Sequence, residues 1–253
     1  MTWRFGWLAW AMLVAGAGAA RAETCREDRF ENADYVVCTI DPAASDLRLF
    51  WRDREGAPYR SFAHLARSVE ADGGRLVVAM NAGMYRTDFS PVGLYIENGE
   101  ELRPADTTVI DGPPGQVPNF YKKPNGVFVL GKTSAGILTT DAFARERPDA
   151  RFATQSGPML VIEGRLHPAL IPGSTDRTRR SGVGVCENGH VRFAISETEV
   201  NFHDFARLFR DHLSCANALF LDGGRGAGIF SPAFDRDDVS WHGGYGPMFG
   251  LVE

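Results

Sequence analysis

The sequence predicts an α+β fold: a single domain in which largely antiparallel or mixed β-sheets pack together and helices cover the outer face. Turn signals that recur after short apolar runs predict hairpins. Only two stretches have clear helical periodicity, so strands predominate. Four hairpins are predicted in this way: 92–96 turning at Asn98 and Gly99, 126–130 near Gly131, 159–162 at Glu163 and Gly164, and 183–186 at Asn188 and Gly189.

The remaining elements follow from apolar patterns. Two runs near the N-terminus, 35–40 and 47–51, predict one further hairpin. The runs 76–80 and 218–221 are apolar throughout, which is typical of strands buried on both faces. One helix is predicted to begin at Ser61 and to end at the glycine pair 73–74. A second helix is predicted to begin at Asn201 with a phenylalanine stripe facing the core, and the last strand is predicted at 248–252.

Residues 1–22 have the pattern of a cleaved signal peptide. Arg4 precedes the apolar stretch 5–20, and residues 20–22, Ala-Arg-Ala, form a small-x-small cleavage signal. The rival interpretation, a retained membrane anchor, is disfavoured because a spanning helix needs roughly 20 apolar residues. We therefore expect a single domain at 23–253, periplasmic or secreted, that does not span a membrane after processing.

The overall charge limits the partners of the protein. The formal net charge is −5, and removal of Arg4 and Arg21 with the signal peptide changes it to −7. An acidic surface disfavours nucleic acid and anionic membranes as partners. A small carbohydrate or glycan-phosphate substrate remains compatible with it.

The four cysteines predict two disulfides in an exported protein. Three connectivities are possible, and we favour Cys25–Cys38 and Cys186–Cys215. The first would tie down the N-terminus, and the second would join a predicted strand to the segment before 218–221. A zinc site is disfavoured because no Cys-x-x-Cys or close Cys/His spacing occurs.

The apolar run 218–221 ends abruptly at Asp222. Four glycines within 222–228 prevent the strand from continuing, so Asp222 lies where a rigid strand meets a loop. Gly223 and Gly224 allow the backbone to approach a ligand or to turn its N–H groups toward an anion. A simple Asp-Gly turn is the alternative, and the motif alone leaves both open. A nucleotide-phosphate loop is disfavoured because neither Gly-x-Gly-x-x-Gly nor the Walker pattern occurs.

Other stretches also place polar groups beside glycines. The strand 76–80 runs into Asn81, Gly83 and Tyr85, and Ser156 and Gly157 precede the third hairpin. The stretch 177–180, Arg-Thr-Arg-Arg, contains three arginines in four residues. Guanidinium groups bind phosphate in a bidentate manner, so this run is a candidate phosphate clamp. A solvated basic loop is the alternative.

In chain order, the stretches 81–85 (Asn-Ala-Gly-Met-Tyr), 156–158 (Ser-Gly-Pro), 180–184 (Arg-Ser-Gly-Val-Gly) and 221–224 (Leu-Asp-Gly-Gly) resemble the phosphodiester glycosidase family. The stretch 200–209 resembles a bacterial exported branch of that family whose function is largely unknown. The resemblance implies an exported hydrolase that cleaves the glycosidic bond between a sugar, such as N-acetylglucosamine, and the phosphate of a phosphodiester. The alternative is a non-catalytic envelope module that binds glycan or glycan-phosphate through the same loops.

The resemblance implies that Asn81, Gly83, Tyr85, Ser156, Gly157, Arg180 and Asp222 border one cleft. Asp222 is the first candidate catalytic carboxylate, either as nucleophile or as the base that activates water. Glu197, at the end of a predicted strand, is the candidate second carboxylate, followed by Glu199 and Asp106. The residues themselves add further candidates for phosphate binding: Arg177, Gly223, Gly224 and Arg225.

The continuation after Asp222 departs from the family pattern. Arg225, Gly226 and Ala227 stand where the family frequently has hydroxyl-bearing residues, so Arg225 is expected to contact the phosphate instead. A divalent cation held by Asp222 and carbonyl oxygens is left open, because phosphate sites often recruit hard metals. No ligand spacing in the sequence identifies one.

Overall fold

The computed structural model describes residues 24–113 and 115–253. Their strands form three antiparallel sheets. The predicted signal peptide at 1–22 lies outside the described residues. The largest sheet has seven strands, in the spatial order β1 (Cys25–Phe30), β2 (Ala33–Ile40), β13 (Val191–Ser196), β12 (Arg180–Cys186), β14 (Cys215–Gly223), β10 (Met159–Ile162) and β11 (Arg165–Leu166).

The other two sheets have five strands each. The second sheet has the order β16 (Arg236–Asp237), β15 (Ile229–Ser231), β4 (Leu76–Asn81), β17 (Met248–Val252) and β3 (Asp46–Phe50). The third sheet has the order β6 (Glu100–Arg103), β5 (Tyr95–Glu97), β9 (Phe152–Ser156), β7 (Gly126–Leu130) and β8 (Ala135–Thr139). The predicted class, α+β with largely antiparallel sheets packed together, is confirmed.

The four predicted hairpins are confirmed by the strand pairs β5–β6, β7–β8, β10–β11 and β12–β13. At the first of them, both Asn98 and Gly99 have positive φ, 53° and 83°. A two-residue hairpin turn requires this conformation, which explains why Asn-Gly is a strong signal there. The final strand is also confirmed as β17.

The predicted pairing of 35–40 with 47–51 is wrong. The first run lies in β2, which pairs with β1 and β13, and the second lies mostly in β3, which pairs with β17 in another sheet. The true hairpin partner, β1, has the sequence Cys-Arg-Glu-Asp-Arg-Phe and is mostly exposed. A polar edge strand of this kind lacks the apolar pattern from which strands are predicted.

The main core lies between the sheets and contains Leu219 and Leu221 of β14. Phe249 of the second sheet marks the meeting point of all three sheets. Its ring lies 5.2 Å from Phe128 of the third sheet and 4.7 Å from Phe193 of the seven-stranded sheet. Aromatic side chains contribute large apolar areas at such junctions. The end of β9 is linked by side-chain hydrogen bonds to the chain after β4, from Thr154 to the carbonyl of Ala82, and to β14, from Ser156 to the carbonyl of Leu221.

Three α-helices are present in the described part of the chain: α1 (Phe62–Ala71), α2 (Thr140–Glu146) and α3 (Phe202–Arg207), which continues as a π-helical turn at Leu208–His212. Both predicted N-caps are confirmed, because Ser61 accepts from the His64 amide and Asn201 from the Asp204 amide. Phe205 and Phe209 pack over Gly182 on the outer face of the seven-stranded sheet. A Cβ atom at that glycine would lie 3.1 Å from both rings.

Both favoured disulfides, Cys25–Cys38 and Cys186–Cys215, are confirmed. The first joins β1 to β2, and the second joins the end of β12 to the start of β14. Both are consistent with an exported protein. In residues 24–113 and 115–253, no helix is long and apolar enough to cross a membrane.

Candidate active site

Asp222 lies at the end of β14, next to a β-bulge. Ser181 of β12 pairs with Asp222 and Gly182 pairs with Phe220, so Leu221 is the additional residue. Phe220 packs on the outer face beneath α3. A Cβ atom at Gly223 would lie 3.2 Å from the Phe220 ring, so Gly223 faces the same side. The bulge therefore turns Asp222 away from α3, although it stands two residues after Phe220.

Burial raises the pKa of the Asp222 carboxyl to about 7. The amide of Gly223, which donates to Oδ1 at 2.8 Å, opposes this rise. No charged side chain among the described residues contributes to the shift. A Cβ atom at Gly226 would lie 2.2 Å from Oδ2, so the loop closes against the carboxylate and only glycine fits there. A half-buried acid with this pKa is half ionised near neutral pH.

Three hydrogen bonds fix the backbone around Asp222. Ser156 at the end of β9 donates its hydroxyl to the carbonyl of Leu221 at 3.0 Å, and Ser181 donates to the carbonyl of Asp222 at 3.2 Å. The amide of Gly224 donates to the carbonyl of Arg179 at 2.7 Å. The predicted site residue Ser156 thus positions the strand that carries the acid.

Gly83 and Gly157 lie on either side of Ser156. A Cβ atom at Gly83 would lie 3.4 Å from that of Ser156, and one at Gly157 would lie 2.6 Å from the Cβ of Asn125. Both predicted glycines therefore provide close packing beside the strand end. Neither is shown to contact a ligand, so their substrate roles stay predictions.

Asn81, at the end of β4, connects this strand to the loop after Asp222. Its Oδ1 accepts a hydrogen bond from the amide of Gly228 at 3.1 Å. Its Nδ2 is buried and has no hydrogen-bond partner in the described part of the chain. A buried amide donor without a partner is costly, so this nitrogen is a candidate for binding a ligand oxygen.

Tyr85 lies close enough to Asp222 for their charges to interact. Burial raises the pKa of Tyr85, and the Asp222 carboxylate adds to the rise. The hydroxyl of Tyr85 donates to the carbonyl of Gly244 at 2.8 Å and lies 3.2 Å from the Ser240 hydroxyl. Tyr85 therefore lies near Asp222 and is hydrogen-bonded to the loop 238–245.

The arginines of the predicted phosphate clamp bind protein groups instead of facing Asp222. Arg180 is 1% exposed, with its guanidinium 3.7 Å from the centre of the Phe202 ring on the α3 side. Its Nε donates to the carbonyl of Val200 at 2.9 Å. Arg177 is paired with Asp204 at 3.3 Å. The backbone of this segment adjoins Asp222, but the bulge and the alternation of β12 send the Arg180 side chain to the opposite face.

The candidate second carboxylate, Glu197, is also not brought to Asp222. It pairs with Arg179 at 3.5 Å and with Arg236 at 3.2 Å. Arg225 differs, because it is exposed on the turn between Gly224 and Gly226 and no ion pair is recorded for it among the described residues. Arg225 is exposed three residues after Asp222, and its contact with phosphate stays a prediction.

Within residues 24–113 and 115–253, no group of three or more His, Cys, Asp or Glu side chains lies together in a way that could hold a metal ion. Asp222 could supply one carboxylate ligand, with other positions filled by carbonyl oxygens or substrate. The divalent cation stays a prediction.

Three residues of the site were missed from the sequence. Ser181 adjoins the arginine run, and its place beside a predicted strand could have indicated it. Gly226 belongs to the glycine-rich stretch, but nothing in the sequence predicts that it lies against the Asp222 carboxylate. Ser240 lies in the loop 238–245, whose sequence Asp-Val-Ser-Trp-His-Gly-Gly-Tyr has no pattern that predicts which side chain is buried.

Asn81 and Tyr85, at and after the end of β4, and Asp222 and Arg225, at and after the end of β14, thus lie in segments that the hydrogen bond from the Gly228 amide to Asn81 Oδ1 connects. Such an arrangement provides a proton acceptor near neutral pH, a neutral hydrogen-bond donor and a cation. A family model described as phosphodiester glycosidase matches residues 74–239, and the chain belongs to this family of glycosidases that act on phosphodiester-linked sugars.

Individual relatives are similar over most of the chain. The uncharacterized protein YigE of Escherichia coli strain K12 is 32% identical over 185 residues, which are 73% of this chain and 70% of the relative. The fold resembles that of the zebrafish N-acetylglucosamine-1-phosphodiester alpha-N-acetylglucosaminidase catalytic domain, auto-inhibited by its pro-peptide. That match has a TM-score of 0.62 and 14% identity, and it covers 92% of this chain and 84% of the zebrafish chain.

A hypothetical protein from Synechocystis has a similar fold, with a TM-score of 0.54 and 16% identity. The match covers 90% of this chain but 61% of the Synechocystis chain. At these identities the structural matches show the fold alone. The assignment to the family rests on the sequence matches.

Proposed function

We propose that this protein is an exported glycosidase that hydrolyses the bond between the anomeric carbon of a sugar and the phosphate of a phosphodiester. Asp222 is its catalytic carboxylate. The observation that carries the proposal is the burial of the Asp222 carboxyl at the end of β14, where its pKa is raised to about 7 and no side chain of the described residues neutralises it. Membership of the phosphodiester glycosidase family supports the reaction class.

Hydrolysis of such a bond can proceed with one ionised carboxylate as the main catalytic group. A phosphomonoester is a good leaving group, so the C–O bond at the anomeric carbon breaks without much help from an acid. Ionised Asp222 either accepts a proton from the attacking water or attacks the anomeric carbon itself, with hydrolysis of the glycosyl-enzyme in a second step. In both cases one water is consumed, and the products are a free sugar and a phosphomonoester that retains the far group.

Three neighbours of Asp222 have supporting roles in this proposal. Arg225 neutralises charge on the phosphate as the bond breaks, which lowers the barrier electrostatically. The Nδ2 of Asn81, which has no hydrogen-bond partner among residues 24–113 and 115–253, donates to a sugar hydroxyl or phosphate oxygen. Tyr85 positions the loop 238–245 beside the site.

The test is hydrolysis of a panel of sugar-1-phosphodiesters by the purified protein without residues 1–22, read as release of free sugar. We expect turnover of at least one compound, and a loss of about a thousandfold or more in Asp222→Asn, as is common when a catalytic acid or base is removed. Asp235→Asn is the matched control. Asp235 is exposed and has a φ of 50°, which asparagine tolerates, so activity should stay within twofold of wild type.

Equal turnover by the wild type and Asp222→Asn would remove Asp222 from the mechanism. One observation favours a second candidate: within the described residues, no second carboxylate interacts with Asp222. A non-catalytic module that binds glycan or glycan-phosphate needs no carboxylate pair. Under that alternative, the wild type turns over no compound of the panel, and Asp222→Asn binds glycan-phosphate as tightly as the wild type does.

A further inference from the structure

Trp241 is 82% exposed and lies on the loop 238–245 next to the proposed active site. Val239, two residues earlier, is 77% exposed. Between them, Ser240 is 4% exposed and its hydroxyl lies 3.2 Å from the hydroxyl of Tyr85. The loop thus presents two apolar side chains to solvent on either side of a serine that contacts a neighbour of Asp222. Large exposed apolar groups grouped near a site are typical of ligand contacts.

The loop is fastened along its length, so Trp241 is held outward by a fixed backbone. At its start, Asp238 pairs with Arg179 at 2.7 Å. At its end, Arg60 donates to the carbonyl of Gly243 at 2.7 Å and accepts at its own carbonyl from the amide of Tyr245 at 2.8 Å. Tyr85 donates to the carbonyl of Gly244. An indole on such a scaffold loses little conformational entropy when it binds a ligand.

We propose that Trp241 forms a stacking subsite for a saccharide ring on the far side of the phosphate, and so selects the second group of the phosphodiester. This inference rests on the proposed function. The first sugar must lie at Asp222 for its anomeric carbon to react. The exposed side chains of the loop 238–245 are therefore left to contact the group beyond the phosphate. The family model matches residues 74–239, so Trp241 lies outside the matched stretch and its proposed role does not come from the family match.

The size and chemistry of the surface favour a ring over a lipid chain. Val239 and Trp241 are separate side chains with a buried serine between them, and they form no continuous apolar groove. The planar face of an indole covers about one sugar ring, and its apolar surface fits the C–H face of a pyranose. The acidic net charge of the protein also disfavours an anionic membrane as the occupant.

Tryptophan fluorescence can report on this subsite directly. The sequence has five tryptophans, of which Trp3, Trp7 and Trp10 fall within residues 1–22. The protein without that segment retains Trp51, which is buried, and Trp241. Two probes are compared in the Asp222→Asn background: N-acetylglucosamine joined through its 1-phosphate to a second hexose, and the methyl diester of the same sugar phosphate.

We expect the hexose probe, and not the methyl probe, to change the emission of Trp241. The change should persist in Trp51→Phe and vanish in Trp241→Phe. Trp241→Ala should weaken binding of the hexose probe at least fivefold and of the methyl probe less than twofold, while Trp241→Phe, which keeps a ring, stays within about twofold of its parent. Ile171→Ala, at another exposed apolar residue, is the matched control and should change neither affinity.

Equal effects of Trp241→Ala on both probes, or none, would overturn the subsite. Loss of binding to phosphatidylglycerol vesicles in Trp241→Ala, with no loss for the hexose probe, would replace the saccharide by a membrane surface and also overturn it. Hydrolysis of the methyl diester by the wild type tests the proposed function separately. Selective binding of the hexose probe without any hydrolysis would sustain the subsite and contradict the glycosidase.

Discussion

Arg180 and Asp222 are charged residues near one another on paired strands, and Arg180 is buried whereas Asp222 is half-buried. Arg180 pairs with Gly223, and Asp222 pairs with Ser181. Arg180 is surrounded by partners: the carbonyls of Val200 and Asp176 accept its hydrogen bonds, and its guanidinium lies over the Phe202 ring. The carboxylate of Asp222 accepts one hydrogen bond from the described residues, from the amide of Gly223.

The difference shows that burial alone does not identify a functional charge. Burial lowers the pKa of Arg180, and Asp176 opposes this, so the cation is supported by the groups around it. Burial raises the pKa of Asp222 without support from any charged neighbour. A buried group that the fold leaves unneutralised costs stability, and such a cost is typical of active sites. We therefore infer that Arg180 stabilises the fold and that Asp222 takes part in the reaction.

The largest expected effect is a pH-dependent gain of stability in Asp222→Asn. The folded-state pKa of Asp222, about 7, lies above the ordinary aspartate pKa of 3.8. Folding therefore favours the protonated acid, and its stabilising contribution is present below pH 4 and is lost as the pH rises to 7. Asparagine resembles the protonated form. We expect the variant to match wild type near pH 4 and to exceed it by up to about 4 kcal/mol at pH 8.

Urea unfolding at pH 4, 6 and 8 with the disulfides intact measures this difference. The control Asp235→Asn alters an exposed carboxylate and should track wild type at every pH. A gain for Asp222→Asn that is the same at pH 4 and pH 8 would contradict the buried ionisable acid. It would reduce Asp222 to an ordinary turn residue.

The second effect is a loss of stability in Arg180→Ala. Removal of a side chain that is 1% exposed leaves a cavity beside Phe202 and removes hydrogen bonds to two carbonyls. We expect a decrease of about 3 kcal/mol in the free energy of unfolding. The decrease for Arg177→Ala, at an exposed ion pair, should stay under about 1 kcal/mol.

Turnover by the folded Arg180→Ala variant tests separately whether Arg180 contributes to the reaction. Since the guanidinium does not face Asp222, kcat should stay within about threefold of wild type when it is corrected for the folded fraction. A loss of turnover without a loss of stability would instead make Arg180 a phosphate ligand, as the arginine run 177–180 predicts.

The smallest effect is expected for Arg225→Ala. This residue is exposed beside Gly224 and is proposed to neutralise the phosphate, so kcat/KM should fall about tenfold, which corresponds to about 1.4 kcal/mol. The loss should shrink as salt is added, because salt screens exposed charges. Arg29→Ala, at an exposed arginine paired with Asp34, is the control and should leave kcat/KM unchanged. A loss that is independent of salt would argue against a charge contact.

Much of the fold was predictable because its information is local. Turn pairs such as Asn188 and Gly189 fix hairpins by their backbone conformations, and Ser61 and Asn201 mark helix starts by capping. The pairing of β2 and of β3 was not predictable, since a strand partner can lie anywhere in the chain. β3 in fact pairs with β17 near the C-terminus.

The site was predictable in its members more than in its geometry. The glycine cluster singled out Asp222, and its resemblance to a family motif joined it to Asn81 and Tyr85. The direction of each side chain was not readable, because one bulge at Leu221 reverses the alternation on which such a prediction depends. For this reason Arg180, which the sequence places beside Asp222, has its guanidinium on the other face of the sheet.

The pH dependence of kcat/KM for a sugar-1-phosphodiester tests the central claim most directly. If ionised Asp222 is the base or nucleophile, kcat/KM should rise about tenfold per pH unit on the acidic side and level off above about pH 7, because only the ionised form reacts. A profile that levels off near pH 4, where an ordinary exposed aspartate ionises, or that falls as the pH rises through 7, would contradict the account.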